Sequence, residues 1–188
     1  VRSQVIAFGG RILGEGQPKY LNSPDTPLFK KGDILYNEDL ARKTSFKTKR
    51  LVIAEGYMDV IAMYAVGIKE AVAPLGTAIT EHQLARMWSL SKEPIMCLDG
   101  DVAGQRAMLR AATLATPLLK PGVTLKFATM PKGLDPDDVI KSGGVEKLAE
   151  ILSKARMLSE VIWHNELTRI GTITPEARAL LEKDLNII

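Results

Sequence analysis

The sequence predicts an α/β protein whose mostly parallel sheet is flanked by helices. Short apolar runs alternate with helical segments between residues 51 and 129, a pattern typical of parallel sheets. The first run, Leu51 to Ala54, is apolar throughout, as in a strand buried on both faces. Acidic residues follow the strands directly, at the sheet edge where parallel α/β proteins place their chemistry.

The first fifty residues predict a mixed, basic unit. Two short apolar runs, 5–8 and 11–13, flank Gly9-Gly10 and predict a β-hairpin. The remaining segments are predicted as a loop over 14–32, a helix over 33–43 with Asp33 as N-cap, and a polar linker over 44–50.

The central part of the chain predicts four strands and three helices in alternation. Strands are predicted over 51–54, 70–74, 94–98 and 123–129, and helices over 58–66, 80–90 and 102–119. Gly67 ends the first of these helices, and Thr80 is a candidate N-cap for the second. This α/β unit is predicted to end near Gly144.

Beyond residue 144 only helices are predicted. They cover 145–154, 157–170 and 175–185, and the last has Thr174 as cap and Pro175 in its first position. We therefore divide the chain into three parts, namely 1–50, 51–144 and 145–188.

Composition excludes several classes of protein. The chain of 188 residues is 46% hydrophobic and 25% charged, which is ordinary for a globular protein, and no apolar run approaches the roughly 18 residues of a membrane span. The single cysteine, Cys97, excludes a cysteine-rich zinc site, and two histidines are too few for a histidine-based one. Carboxylates must therefore hold any metal. Because the chain starts without Met or a signal peptide, we expect it to be part of a longer protein.

Charge is distributed unevenly along the chain. Residues 1–50 carry ten Lys or Arg against five acids, a net charge of +5, and the remainder carries 15 against 17, a net charge of −2. This asymmetry suits a protein that holds a polyanion with one part and metal ions with the other. A solvated surface produces the same asymmetry often.

Six carboxylates follow three of the predicted strands. They are Glu55 and Asp59 after the first, Asp99 and Asp101 after the third, and Asp135 and Asp137 after the fourth. Like charges this close repel unless cations neutralise them, and a ligand set of oxygens alone suits Mg²⁺ or Mn²⁺. Gly100 is a residue that allows the backbone to turn between two aspartates aimed at one site. The alternative is that Glu55, Asp59 and Asp101 cap helices.

The acidic pattern resembles a known family. Glu55-Gly56-Tyr57-Met58-Asp59, followed by Leu98-Asp99-Gly100-Asp101, resembles the signature of the Toprim domain, which primases, topoisomerases and some nucleases share. Further segments are similar to the catalytic core of DnaG-type bacterial primases: Phe8 to Arg11, Pro18 to Pro24, Phe29 to Tyr36, Leu75 to Thr77 and Val102 to Gly104. By this resemblance, 1–50 is the end of the basic N-terminal subdomain, 51–144 the Toprim domain and 145–188 the start of a helical subdomain.

The resemblance implies template-directed synthesis of short RNA primers from ribonucleoside triphosphates on single-stranded DNA. It implies that Glu55, Asp99 and Asp101 are catalytic and bind two or more Mg²⁺ or Mn²⁺ ions, with Asp59, Asp135 and Asp137 as further ligands or supports. By the same resemblance, template or nucleotide phosphates are bound by Arg11, Lys19 and Lys31, and Tyr20 and Asn22 order the loop. The implied setting is the bacterial cytoplasm at the replication fork, with the replicative helicase as partner through a C-terminal domain. No zinc and no membrane are expected, and we expect this part to be monomeric.

Two other functions stay open from the residues alone. One is a different Toprim enzyme, either a nuclease or a topoisomerase. The other is a metal or nucleic-acid binding module without catalysis, which is plausible because this part of the protein alone is expected to be weakly active.

Overall fold

The computed structural model describes residues 4–12, 16, 20–76, 78–171 and 174–185. Its strands are β1 (Gly9–Arg11), β2 (Tyr20–Asn22), β3 (Leu35–Tyr36), β4 (Val52–Ala54), β5 (Ala71–Pro74), β6 (Ile95–Leu98), β7 (Lys126–Thr129) and β8 (Arg156–Met157). Its α-helices are α1 (Glu38–Thr48), α2 (Tyr57–Ala65), α3 (Glu81–Leu90), α4 (Val102–Ala115), α5 (Pro136–Ser153), α6 (Leu158–Ile170) and α7 (Pro175–Leu185).

Six strands form one mixed sheet in the order β3-β5-β4-β6-β7-β8. The four inner strands run parallel, and the two outer strands pair antiparallel to them. The predicted α/β fold with a mostly parallel, helix-flanked sheet is therefore confirmed. Across the described residues, no helix has both the length and the apolar character needed to cross a bilayer.

Strand β4 lies at the centre of the sheet and is buried on both faces. Ile53 packs in the core between the sheet and helices α3 and α4, and Val52 and Ala54 pack in the core on the α2 and α5 side. None of the three is more than 1% exposed. Since burying a valine or isoleucine side chain contributes about 1.5–3 kcal/mol, Val52 and Ile53 strongly favour the central position of β4. Glu55 follows β4 directly, so its backbone position is favoured as well.

The predicted hairpin was wrong in its pairing. Gly9 and Gly10 do not form a turn: they lie in β1, which pairs antiparallel with β2 so that Arg11 lies opposite Tyr20. Residue 13 of the predicted second strand and residues 14–15 and 17–19 of the predicted loop lie outside the described residues. A Cβ at Gly9 would lie 3.1 Å from Asn22 Oδ1 and 3.4 Å from the Tyr57 ring, so the Asn22 side chain would have to shift to admit one.

The first predicted helix was placed five residues too early. Residues 35 and 36 form the edge strand β3, and α1 continues through most of the predicted linker to Thr48. Asn37, with a φ of 63°, reverses the chain between β3 and α1. Ser45 is fully buried, and its hydroxyl donates to the Leu90 carbonyl oxygen at 3.0 Å. Tertiary contacts therefore extend the helix over residues that look like a linker in isolation.

A helical segment that was not predicted precedes the helix predicted from Val145, and a kink at Gly144 joins the two into α5. Helix α5 starts at Pro136 behind the cap Asp135, and Gly144, with a φ of 72°, interrupts its regular geometry. The two-residue edge strand β8 was not predicted at all. The division of the chain at residues 50 and 144 stays a prediction.

Helices α6 and α7 match the predicted ranges to within one residue, and Thr174 accepts from the Ala177 N–H as predicted for a cap.

Candidate metal and nucleic-acid site

The ends of β4 and β6 bring two of the predicted catalytic acids together. The strands are parallel neighbours, with Ala54 beside Cys97, so the residues that follow them share one edge of the sheet. The backbone N–H of Asp99 donates to Glu55 Oε1 at 2.9 Å. This bond ties the acid after β4 to the loop after β6.

Three further acids accept hydrogen bonds from backbone N–H groups at helix starts. Asp59 accepts from Gly56 at 3.2 Å, Asp101 from Gly104 at 2.7 Å, and Asp135 from Asp138 at 2.8 Å. The capping alternative is therefore correct for Asp59 and Asp101, although not for Glu55. Each cap uses one carboxylate oxygen in these bonds, which leaves the second oxygen for another ligand.

The carboxylates at this edge disturb one another's ionisation. Burial, followed by the charges of Glu55 and Asp59, raises the pKa of Asp99 from its ordinary value of 3.8 to about 7. Burial, followed by the charge of Asp135, raises the pKa of Asp59 to about 6. Burial also raises the pKa of Glu55. Shifts of this kind at one place indicate partly buried carboxylates whose negative charges also lie near one another.

The donor set fits a hard divalent cation. Asp99 Oδ1 is buried and has no hydrogen-bond partner among the described residues, an arrangement that costs free energy unless a ligand meets it. Every candidate donor is a carboxylate oxygen, the preferred ligand of Mg²⁺ and Mn²⁺. In the described part of the chain, no three His, Cys, Asp or Glu side chains already surround one point. The fold therefore gathers candidate ligands at one edge without arranging them around a single point.

Gly100 allows the loop after β6 to touch the loop after β7. Its N–H donates to the Leu134 carbonyl oxygen at 3.0 Å, and its own carbonyl oxygen accepts from Gly133 at 2.9 Å. A Cβ at this position would lie 1.9 Å from the Pro131 carbonyl oxygen. Gly100 is not among the glycines with positive φ. The glycine is therefore required for close approach, and not for the turn that the sequence suggested.

The contact between these two loops brings Asp135 and Asp137 toward the other acids. The charge of Asp135 contributes to the raised pKa of Asp99, and both charges contribute to that of Asp59. Asp137 also forms an ion pair with Lys141 one helical turn later.

The hairpin β1–β2 lies beside the acids. Tyr20 packs edge-on against Tyr57, with 4.9 Å between ring centroids, and the Arg11 guanidinium lies 5.7 Å from the Tyr20 ring centroid. A cleft of about 270 Å³ runs between the hairpin and the sheet edge, and Tyr20, Asn22 and Glu55 contribute to its lining. The structure thus places two predicted nucleic-acid residues, Tyr20 and Asn22, in one cleft with the predicted catalytic acid Glu55, and Arg11 beside Tyr20.

Of the two predicted phosphate-binding lysines, Lys31 lies within the described residues. Lys31 lies in a short 3₁₀ turn, 3.5 Å from Asp25, and its carbonyl oxygen accepts from Gln83 in α3. Lys19 lies outside the described residues.

Two residues near the acids were missed by the sequence reasoning. Arg110 of α4 lines a cavity of about 80 Å³ together with Glu55, and its charge lowers the pKa of Glu55 against the effect of burial. The Tyr57 hydroxyl donates to the Gly10 carbonyl oxygen at 2.6 Å, which joins α2 to the hairpin. No local signal in the sequence marks either contact, since Arg110 lies two and a half helical turns after Asp101 and Tyr57 meets a residue of a distant segment.

Replacing Tyr57 with Phe tests whether this hydrogen bond positions the hairpin. The ring contacts with Tyr20 and Tyr36 remain, and a bond worth about 0.5–1.5 kcal/mol is lost. We expect affinity for single-stranded DNA, measured by fluorescence anisotropy, to fall about two- to tenfold, with Mn²⁺ affinity unchanged. Tyr36→Phe is the matched control and should bind like the parent. Parent-like DNA affinity in Tyr57→Phe would exclude a positioning role.

Comparison with known proteins identifies two family matches in the chain. Residues 49–129 match the family model of the Toprim domain, and residues 1–42 match that of the N-terminal domain of the DNA primase catalytic core. The chain is 45% identical to the DNA primase of Rickettsia felis over 98% of its length, and 39% identical to that of Escherichia coli K12 over 96%. It spans 31% of the length of each of these relatives.

Solved structures give the same result for the fold. The chain is similar to a DNA primase domain from Pseudomonas aeruginosa, with a TM-score of 0.90 and 39% identity, covering 96% of this chain and 56% of that one. It is also similar to a DnaG primase catalytic domain bound to single-stranded DNA, with a TM-score of 0.89 and 38% identity, covering 97% of this chain and 59% of that one.

Proposed function

The chain belongs to the DnaG-type DNA primase family, and from this premise we propose that it carries the metal-dependent centre at which such an enzyme joins ribonucleotides into short primers on single-stranded DNA. The observation that carries this proposal is the hydrogen bond between Glu55 and the Asp99 backbone, beside a buried Asp99 oxygen with no protein partner among the described residues. An acidic edge that is incomplete without a cation is the arrangement that metal-dependent nucleotidyl transfer needs.

We assign Glu55, Asp99 and Asp101 as the catalytic metal-binding residues. Asp59, Asp135 and Asp137 then supply further ligands or hold the first three in place. The charges of Asp59 and Asp135 raise the pKa of Asp99, and those of Asp135 and Asp137 raise the pKa of Asp59. Mg²⁺ or Mn²⁺ bound there, as two or more ions, supplies charge neutralisation for a triphosphate and activation of a primer hydroxyl.

The hairpin is assigned to template and nucleotide binding. Arg11 presents its guanidinium beside the Tyr20 ring, an arrangement that pairs a phosphate-binding group with a surface for a base. Asn22 lines the cleft that leads to Glu55. Lys31, and Lys19 by its sequence motif alone, are assigned to phosphate contacts. A related DnaG primase catalytic domain is bound to single-stranded DNA, which supports single-stranded DNA as a ligand of this domain.

The cellular setting is proposed from the family alone. We place the protein in the bacterial cytoplasm at the replication fork, with single-stranded DNA, ribonucleoside triphosphates and the RNA primer as its ligands. The replicative helicase is the proposed partner, through a C-terminal domain of the whole protein.

Primer synthesis by the whole protein tests the proposed function. Labelled ribonucleotides, single-stranded DNA and Mg²⁺ should yield short oligoribonucleotides, and Asp101→Asn should abolish them. Asparagine is an effective N-cap, so this variant retains the start of α4. A protein that shortens or relaxes DNA without joining ribonucleotides would instead be a nuclease or topoisomerase, which contradicts the proposal.

A further inference from the structure

The sheet edge opposite the acids carries a cluster of basic residues, Lys47, Lys49, Arg50, Lys69 and Lys92, which we call the basic edge. They lie at the C-terminal end of α1 and in the segments that lead into β4, β5 and β6. Backbone hydrogen bonds join these segments: Val52 donates to Glu70 at 3.1 Å, and Ile95 to Leu51 at 2.9 Å. The sheet therefore holds the backbone of the segments that carry Arg50, Lys69 and Lys92 along one edge.

Positive charge at the basic edge is largely uncompensated. Arg50 forms an ion pair with the buried carboxylate of Glu70. The four lysines are exposed, and none of them forms an ion pair with a residue in the described ranges. The Ser91 hydroxyl donates to the Lys49 carbonyl oxygen at 3.1 Å, which holds the segment before β6 against the end of α1. Like charges fixed close together favour binding of a polyanion.

Two exposed aromatic rings accompany these lysines. Phe46 is 53% exposed, and the Lys49 ammonium lies 5.8 Å from its ring centroid. Tyr64 is 39% exposed, with the Lys69 ammonium 5.9 Å from its ring centroid. Exposed rings beside ammonium groups can stack unpaired bases while the charges meet phosphates. An acidic peptide or a DNA duplex would use the charges but not the rings.

We propose that the basic edge, together with Phe46 and Tyr64, is a second surface for single-stranded nucleic acid. It lies across the sheet from the candidate metal site and shares no residue with it. The surface is independent of the proposed catalytic function, because it requires neither the acids nor the hairpin β1–β2.

Removing three of its charges tests the surface. In Lys49→Gln/Lys69→Gln/Lys92→Gln, the slope of log affinity against log salt for single strands should fall by about 2, since each lost phosphate contact contributes about 0.7. Lys147→Gln/Lys154→Gln/Lys183→Gln removes the same charge from exposed positions in α5, just after α5 and in α7, and should keep the parent slope. Oligo-dT and oligo-U, followed by fluorescence anisotropy, distinguish DNA from RNA as the ligand.

Separate variants test whether the two aromatic rings stack on bases. Phe46→Ala and Tyr64→Ala should each weaken binding about fivefold or more if the ring stacks a base. Oligonucleotides containing 5-bromodeoxyuridine should photocrosslink to peptides that include Phe46 or Tyr64. Mn²⁺ affinity should be unchanged in all these variants, so a failure of this surface is distinguishable from a failure of the metal site.

Two results would overturn the proposal. One is crosslinking confined to the hairpin β1–β2, with equal salt slopes in the two triple variants. The other is tight binding of polyglutamate at the basic edge without any binding of oligonucleotides, which would make it a surface for an acidic protein.

Discussion

Asp99→Asn is expected to abolish high-affinity Mn²⁺ binding while the fold remains intact. The substitution keeps the size of the side chain and removes the negative charge of the group whose buried oxygen lacks a partner in the described part of the protein. Supporting residues around metal ligands typically contribute about 10- to 100-fold in affinity, so loss of a ligand itself should cost about a hundredfold or more. Mn²⁺ titration followed by electron paramagnetic resonance measures this directly.

The same variant should be more stable than the parent when metal is chelated. The pKa of Asp99 is about 7 in the folded chain and near 3.8 when unfolded, so ionisation of Asp99 destabilises the metal-free fold. Below about pH 4 Asp99 is protonated in both the folded and the unfolded chain and does not destabilise the fold. The destabilisation grows as the pH rises from about 4 to 7. With solvent screening of this half-buried group, we expect Asp99→Asn to gain about 1–3 kcal/mol at pH 8 and nothing near pH 4.

Urea unfolding in EDTA at several pH values measures this gain, and added Mn²⁺ should reverse the order because it stabilises only the parent. Asp39→Asn is the matched control: it removes a charge from an exposed position in the first turn of α1, so it should leave Mn²⁺ affinity unchanged and lose, not gain, about 0.3–1 kcal/mol of stability. Parent-like Mn²⁺ affinity in Asp99→Asn would remove Asp99 from the metal site.

Gly100→Ala is expected to destabilise the protein and to separate the acids of two loops. The new Cβ would lie 1.9 Å from the Pro131 carbonyl oxygen and 2.7 Å from that of Met130, so backbone atoms must move. Movement breaks the hydrogen bonds that Gly100 makes with Leu134 and Gly133. Two lost bonds and the strain together should cost about 2–4 kcal/mol of unfolding free energy.

Metal affinity should fall in the same variant although no carboxylate is changed, because the loop that leads to Asp135 is displaced. Chemical denaturation and Mn²⁺ titration give the two quantities. Gly10→Ala is the matched control, since its Cβ would meet only the Leu21 carbonyl oxygen at 3.9 Å. Stability within about 0.5 kcal/mol of the parent would show that the two loops adapt, and that close approach is not required.

The sheet and its acidic edge could be predicted because they depend on local patterns. An apolar run such as Leu51 to Ala54 indicates a doubly buried strand wherever it lies in the fold, and Glu55 must follow it. Capping signals at Thr80 and Thr174 act within one helical turn, which is why these helix starts were predicted correctly.

Pairing over distance could not be predicted in the same way. The strand Gly9–Arg11 finds its partner nine residues later, and three residues are too few to show a strand periodicity. Helix α1 extends through Thr48 because Ser45 is buried against α3, a contact with residue 90. Both errors arise where a contact with a distant segment decides a local conformation.

By itself, the sequence determined the α/β class, the order of the central strands and helices, and the set of acids that follow those strands, because each depends on residues within a few positions. Only the tertiary structure decided that Glu55 bonds to the Asp99 backbone, that Gly100 lets two loops touch, and that Tyr57 joins α2 to the hairpin. These features depend on where distant backbones approach one another, and that distance is set by packing of the whole core.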